Sequence, residues 1–337
     1  MNHHTFSWKR WATIAVALVI LTCAASSHAW CASQSLWVAF DDGDGIVSYT
    51  SKQLKKNGMP TPLELSTYPY ATGVAFDASG DLWAVIPGDP VTAVVEFTAA
   101  QLKDLKNNPS PTPAVIITSG STFLDDDVYG CGFDPQGNLW VTDGTDNTIA
   151  EVSKAQLEAG SADITPTAVI YTIDFAFPAF VTFDKSGNAW IASQGISRIV
   201  ELSASQLTSG GTKTPAVVLS DDGSGTSLAL PGEIAFDKKG DLWVPNFSSN
   251  TVVEYAKDQL TSTGSPKPAV KLSSAVFDEP FGAAFDSKGD LAILNYSNGT
   301  IAKFTAKQLK KSGSPKPKAA VKGTGTVNYQ ITFGPAS

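Results

Sequence analysis

One line of this chain recurs along its length, and that repetition constrains the fold more than any other feature. The stretch GVAFDASGDLWAV at 73–85 returns as GCGFDPQGNLWVTD at 130–143, FVTFDKSGNAWIAS at 180–193, EIAFDKKGDLWVPN at 233–246 and GAAFDSKGDLAILN at 282–295. The anchoring phenylalanines Phe76, Phe133, Phe183, Phe236 and Phe285 are 57, 50, 53 and 49 residues apart. A second signature, an apolar strand followed by Gln-Leu, occurs six times, at Gln53, Gln101, Gln156, Gln206, Gln259 and Gln308. Repeats of this length are single supersecondary units that bury their apolar faces only by stacking on their neighbours.

Each unit predicts four strands. The strand ending in Phe-Asp has small or apolar residues on both faces, and an Asp-x-x-Gly turn reverses it into the Leu-Trp-Val strand. A third strand, such as 148–152 or 251–255, leads to Ser/Thr-x-x-Gln, the spacing of a capping box. Thr50, Thr98, Ser153, Ser203 and Thr305 supply the hydroxyl, and Ala256 breaks the pattern in the fifth copy. One helical turn is expected there, its Leu packed on the sheet, then a Pro-rich hinge and an outer strand such as 114–118 or 216–220. Four-stranded repeats of this size are β-propeller blades. The first blade begins at Leu36-Trp37-Val38 without its Phe-Asp strand, and the missing strand stands at 330–334 as Gln-Ile-Thr-Phe-Gly. The expected fold is therefore all-β: one six-bladed β-propeller domain spanning 33–337, its ring closed by the C-terminal strand. Trp37, Trp83, Trp140, Trp190 and Trp243 share one strand position and read as inter-blade core. Ala292 takes that place in the sixth blade, which should be the loosest.

Composition narrows the chemistry. The three histidines are His3, His4 and His28, so the repeats contain none. Ser-His-Asp and Cys-His nucleophile systems and His-ligated zinc are excluded from them. The only arginines are Arg10 and Arg198, and the net charge is −8; a nucleic-acid partner is not expected. Lys9 and Arg10 precede an apolar run at 11–23, and Ser27-His28-Ala29 offers a small-residue cleavage site. Residues 1–29 thus read as a signal peptide, with an uncleaved anchor as the alternative. The product is expected to be exported, periplasmic or extracellular, with no membrane contact after cleavage. Cys31 and Cys131 leave two readings open, a bridge between them or a buried free thiol at Cys131.

Propeller topology sorts charge by face. The loops between blades and those after Leu-Trp-Val carry acids including Asp143, Asp146, Asp174, Asp278 and Glu279, while the lysines gather on the Gln-Leu side. Aromatic residues accompany the acids, and Tyr70, Tyr129, Phe177, Phe281 and Tyr329 are the candidate ligand-binding residues. Such a rim attracts cations and offers cation–π contacts. The expectation is a monomeric binding or scaffold module that takes a small molecule, a cation or a basic protein surface.

The pair GxxFDxxGxLWV with a later Asn-Thr-Ile strand start, best formed at 130–152, resembles the NHL repeat and the wider gluconolactonase/strictosidine-synthase-like propeller superfamily. That resemblance implies the same fold and, in the gluconolactonase branch, a divalent metal on the axis held by an inner-strand Glu with Asn and Asp from other blades. Glu233 is the one acid inside an innermost strand here, and Asn246, Asn295 and Asp143 end second strands. Carried over, this oxygen set would hold Ca²⁺ or Mg²⁺ and make a metal-dependent lactonase-type hydrolase the alternative function. The competing reading has Glu233 accepting backbone amides near the channel mouth. The Leu-Trp-Val-Thr stretch is also similar to streptogramin lyases, whose dependence on histidine the repeats do not meet.

Overall fold

Alternation of apolar residues in runs of about five makes strands, and turn chemistry at fixed spacing folds those strands into hairpins. The computed structural model describes residues 34–40, 45–88, 92–119, 128–323 and 328–335. The expected leader, Cys31 and the acidic runs at 41–44 and 125–127 lie outside the described residues. Six sheets form, each an antiparallel meander of inner, second, third and outer strand. Blade two, for example, runs Gly73–Phe76, Leu82–Ile86, Ala93–Phe97, Val115–Thr118. Among the described residues no helix is long and apolar enough to cross a membrane.

The ring closes as the repeat predicted. The C-terminal strand Asn328–Pro335 pairs antiparallel with Gln34–Phe40, in the register Leu36–Phe333, Trp37–Thr332 and Val38–Ile331. It becomes the inner strand of blade one, so the N-terminal strand has no unpaired inner edge. Among the described residues, six clusters of buried apolar side chains each span a pair of adjacent blades, one for every seam, and a seventh of Ala179, Phe180 and Phe281 lies at the axis.

The motifs acquire physical roles. Asp134 Oδ1 accepts the Gln136 and Asn138 amides and fixes the turn, and its Oδ2 accepts Trp140 Nε1–H at 3.1 Å. Asp77 and Asp184 do the same for Trp83 and Trp190. In these three blades the Asp of Phe-Asp ties the hairpin to its own indole. In blade five, by contrast, Asp237 Oδ2 faces Lys239 Nζ at 3.5 Å, and Trp243 Nε1 has no hydrogen-bond partner among the described residues. Every Gln of the Gln-Leu signature works from both ends of its amide. In blade three Oε1 accepts the Ser153 N–H at 2.9 Å while Nε2 donates to Thr165 O at 2.7 Å. Gln53, Gln101, Gln206, Gln259 and Gln308 donate likewise to the hinges. Ala256 loses only the hydroxyl half, since its N–H still reaches Gln259 Oε1 at 2.9 Å. A parallel fifth strand, absent from the sequence expectation, joins two blades: Ala162–Asp163 pairs with Val115–Thr118, and Gly211–Thr212 with Ala168–Tyr171. The hinge of one blade thereby covers the outer edge of the preceding one.

Each of the five tryptophans lies against the inner-strand phenylalanine of the next blade, with ring centroids 5.9–6.4 Å apart. Geometry of this kind adds about 0.5–1.5 kcal/mol beyond burial. In blade six Ala292 leaves Phe333 without an indole. Its register partner, a Glu opposite Trp83, Trp140, Trp190 and Trp243, is here Lys303. Lys303 Nζ stands 5.6 Å over the Phe333 ring and bonds Asp286 Oδ2 at 2.6 Å. Blade six has exchanged an aromatic seam for a buried ion pair.

Candidate functional site at the propeller axis

The inner strands present unpaired main-chain edges to the axis, and one position on each strand decides what fills the centre. Going round from blade one these residues are Gln330, Gly73, Gly130, Phe180, Glu233 and Gly282. In blade five, however, the inner strand is only Ala235–Phe236, and Glu233 stands two residues before it rather than inside it as expected. Two long polar side chains cross the axis over glycine neighbours. Glu233 Oε2 accepts the Ile331 N–H at 3.0 Å and the Ala283 N–H at 3.2 Å. Gln330 Oε1 accepts from Val74 N at 3.0 Å and Cys131 N at 3.2 Å, and its Nε2 donates to Cys131 O at 2.9 Å. The Gln330 side chain also favours the charged form of Glu233. The clasp joins the inner edges of blades one, two, three, five and six. A Cβ at Gly73 would lie 3.2 Å from Gln330 Oε1, and one at Gly282 3.3 Å from Glu233 Oε2; these glycines leave the room the clasp needs.

Burial pushes the Glu233 carboxyl up to about 8, and the two amides and Gln330 only partly oppose that. Charge on a carboxylate cut off from water is costly even when amides face it. Cys131, buried beside the clasp, is a free thiol whose pKa is raised by burial and by Glu233. Among the described residues it has no disulfide partner.

On the hairpin side of this layer the channel opens into a cavity of about 390 Å³, lined by inner strands of all six blades down to the half-exposed ring of Phe76, Phe133, Phe183, Phe236, Phe285 and Phe333. On the opposite, inter-blade side aromatic rings close it. Phe180 and Phe281 pack edge to face at 5.3 Å, and Phe247 and Tyr296 contact each other and Phe281 at 5.5–5.9 Å. Tyr129 and Phe177 meet beside them at 4.6 Å, their planes tilted by 53°. Three non-glycine residues that precede prolines here, Phe177, Leu230 and Glu279, are held at positive φ. Their N–H groups are taken by Asn147 Oδ1 at 2.7 Å, Ser197 Oγ at 3.0 Å and Asn250 Oδ1 at 2.7 Å, each from the preceding blade. Strain of about 1 kcal/mol or more per residue persists only where such contacts over-determine it.

The expected site residues separate accordingly. Glu233 lies on the axis and accepts backbone amides. Asn246 Oδ1 accepts Ala229 N at 3.0 Å, and its Nδ2 donates to Ser227 O at 3.2 Å. Asn295 Oδ1 accepts Asp278 N at 3.1 Å, and its Nδ2 donates to Val276 O at 3.0 Å. Asp143 Oδ1 accepts Asp146 N at 2.8 Å. Both amide oxygens, and one carboxylate oxygen each of Glu233 and Asp143, therefore already accept main-chain N–H groups. The described His, Cys, Asp and Glu side chains do include one group close enough to share an ion, Asp77, Asp81 and Glu96, on the hairpin face of blade two. Of the aromatic set, Tyr129, Phe177 and Phe281 join the axial cluster, Tyr70 stands 48% exposed in the loop before blade two, and the Tyr329 side chain lies outside the described residues. Phe180, Phe247 and Tyr296 complete the cluster. Phe180 was legible as the one aromatic among the six axial positions.

No protein-family model matches this chain, and no curated protein does. Solved structures do, and they share the fold at low identity. A protein of unknown function from Bacteroides caccae is 13% identical with a TM-score of 0.57, covering 89% of this chain and 98% of that one. A chain of the nidogen/laminin complex is 13% identical with a TM-score of 0.59, again over 89% and 98%. A catalytically inactive virginiamycin B lyase from Staphylococcus aureus with quinupristin is 13% identical, TM-score 0.53, over 86% and 85%. The six-bladed propeller fold stands on both topology and likeness.

Proposed function

We propose that this chain is an exported binding module, a divergent NHL-like propeller, whose partner docks on the face made by the inter-blade loops. The observation that carries this reading is the aromatic floor at the axis. Phe180 and Phe281 are 1% and 5% exposed, and around them Tyr129, Phe177, Phe247 and Tyr296 remain partly open to solvent. Asp146, Asp278 and Glu279 flank these rings, and nearby Asp174 is matched by Arg198, so the loops carry a surplus of carboxylates. A rigid aromatic surface under negative potential suits a lysine- or arginine-bearing partner, with about 0.5–2 kcal/mol available per ring–cation contact. The similar propeller of the nidogen/laminin complex supports a protein-binding use of this scaffold.

Calorimetric titration with a heptalysine peptide tests the idea. Saturable binding should weaken as salt rises, and at least tenfold in Phe247→Ala/Tyr296→Ala and in Asp278→Asn/Glu279→Gln. No saturable heat from the wild type, or equal affinity in both double variants, would defeat it.

A further inference from the structure

We propose that the seam between blades six and one is a binding site for a small organic anion, a carboxylate or phosphate head on a short apolar body. Five seams are filled by an indole against a phenylalanine, whereas at the sixth Ala292 and Lys303 replace the usual Trp and Glu. A cavity of about 140 Å³ lies at this seam. That is close to the roughly 150 Å³ at which an internal cavity takes up benzene, so a small aromatic acid is of fitting size.

Its lining determines the sign of charge it accepts. Four lysines border it, Lys55, Lys288, Lys303 and Lys318, together with Asp286 and Asp290. The two carboxylates are committed. Asp286 Oδ2 bonds Lys303 Nζ, Asp286 Oδ1 accepts the Lys288 and Asp290 amides, and Asp290 Oδ1 accepts the Ala306 amide. Lys55, Lys288 and Lys318 are exposed and carry no ion pair among the described residues. Four ammonium groups against two carboxylates leave the cavity positive in a chain of net charge −8. Leu54 and Phe333 supply the apolar wall. Ammonium groups around a partly apolar pocket select an oxyanion with a hydrophobic portion.

The position also couples binding to the fold. Leu54, Lys55 and Phe333 belong to blade one, Lys288, Lys303 and Lys318 to blade six. An occupant bridges the two blades that the C-terminal strand brings together, and it stabilises the ring by mass action. At one hundred times its Kd the melting temperature should rise by about 4 °C.

The test is calorimetry and thermal melting of the full chain with benzoate, phenyl phosphate, inorganic phosphate and benzyl alcohol. Saturable binding of benzoate or phenyl phosphate is expected, and whichever binds assigns the head group. Lys55→Ala/Lys288→Ala/Lys318→Ala, all exposed, should weaken it at least tenfold with the ligand-free melting temperature unchanged. Ala292→Trp/Lys303→Glu, which restores the pattern of the other seams, should abolish it. Any of three results overturns the proposal: no saturable binding of either aryl acid at 10 mM, undiminished affinity in the triple variant, or equal binding of benzyl alcohol. Saturation by inorganic phosphate alone overturns it as well.

Discussion

Replacing Glu233 separates its two roles, hydrogen-bond acceptor and buried acid. In Glu233→Gln the amide oxygen can take the place of Oε2 and keep both the Ile331 and Ala283 N–H bonds. In Glu233→Ala two buried main-chain donors lose their partner. At about 1–3 kcal/mol for each abandoned donor the alanine variant should lose roughly 2–6 kcal/mol. The pH dependence has a definite sign. Burial raises this carboxyl from 4.5 to about 8, so between those values the folded chain holds a proton that the unfolded chain has released. The resulting stability is complete below pH 4.5 and is lost as pH rises through 8. Over pH 5 to 8, at about 1.4 kcal/mol per unit, the ceiling is about 4 kcal/mol, or about 6 °C in melting temperature for roughly 300 ordered residues. Glu201 and Glu254, raised to about 7 chiefly by burial, add a slope of the same sign. Differential scanning calorimetry of wild type and both variants at half-unit pH steps measures this directly. Glu233→Gln should flatten the curve and be the more stable form at pH 8. Parallel curves for wild type and Glu233→Gln would refute the reasoning.

Three further outcomes are expected. Gln330→Ala should cost roughly 3–9 kcal/mol in chemical denaturation, because Val74 N–H, Cys131 N–H and Cys131 C=O all lose their partner; a loss under 1 kcal/mol would mean that water replaces it. Lys303→Met keeps the stem over Phe333 but leaves the Asp286 carboxylate buried without its ammonium, and about 3 kcal/mol should be lost at pH 7. Although burial pushes Asp286 upward, its bond to Lys303 holds the pKa below the ordinary value, so that loss should shrink as pH falls below 4. Cys131, fully buried with a raised pKa, should resist iodoacetamide in native buffer and react once guanidinium unfolds the chain; mass spectrometry counts the adduct.

The sequence by itself determined the blade count, the strand order and the strand that closes the ring. Those features rest on local signals, such as the alternation in 73–85, the Asp-x-x-Gly turn that seats the indole of Trp140, and the Gln of each Gln-Leu pair, whose partners lie within about a dozen residues. It also marked Glu233 as the one acid expected inside an innermost strand. Only the tertiary structure decided where that carboxylate points. Whether it meets an ion or the amides of Ile331 and Ala283 depends on which neighbours are glycine and on the register of a strand contributed by the other end of the chain. The same holds for the seam of Ala292 and Lys303. Each substitution taken alone reads as a weakened repeat, and only their opposition across paired strands, beside Phe333 of another blade, turns a missing indole into a charged cavity. Local periodicity specifies elements, while the direction of a long polar side chain is set by the space and the unpaired groups that distant segments leave it.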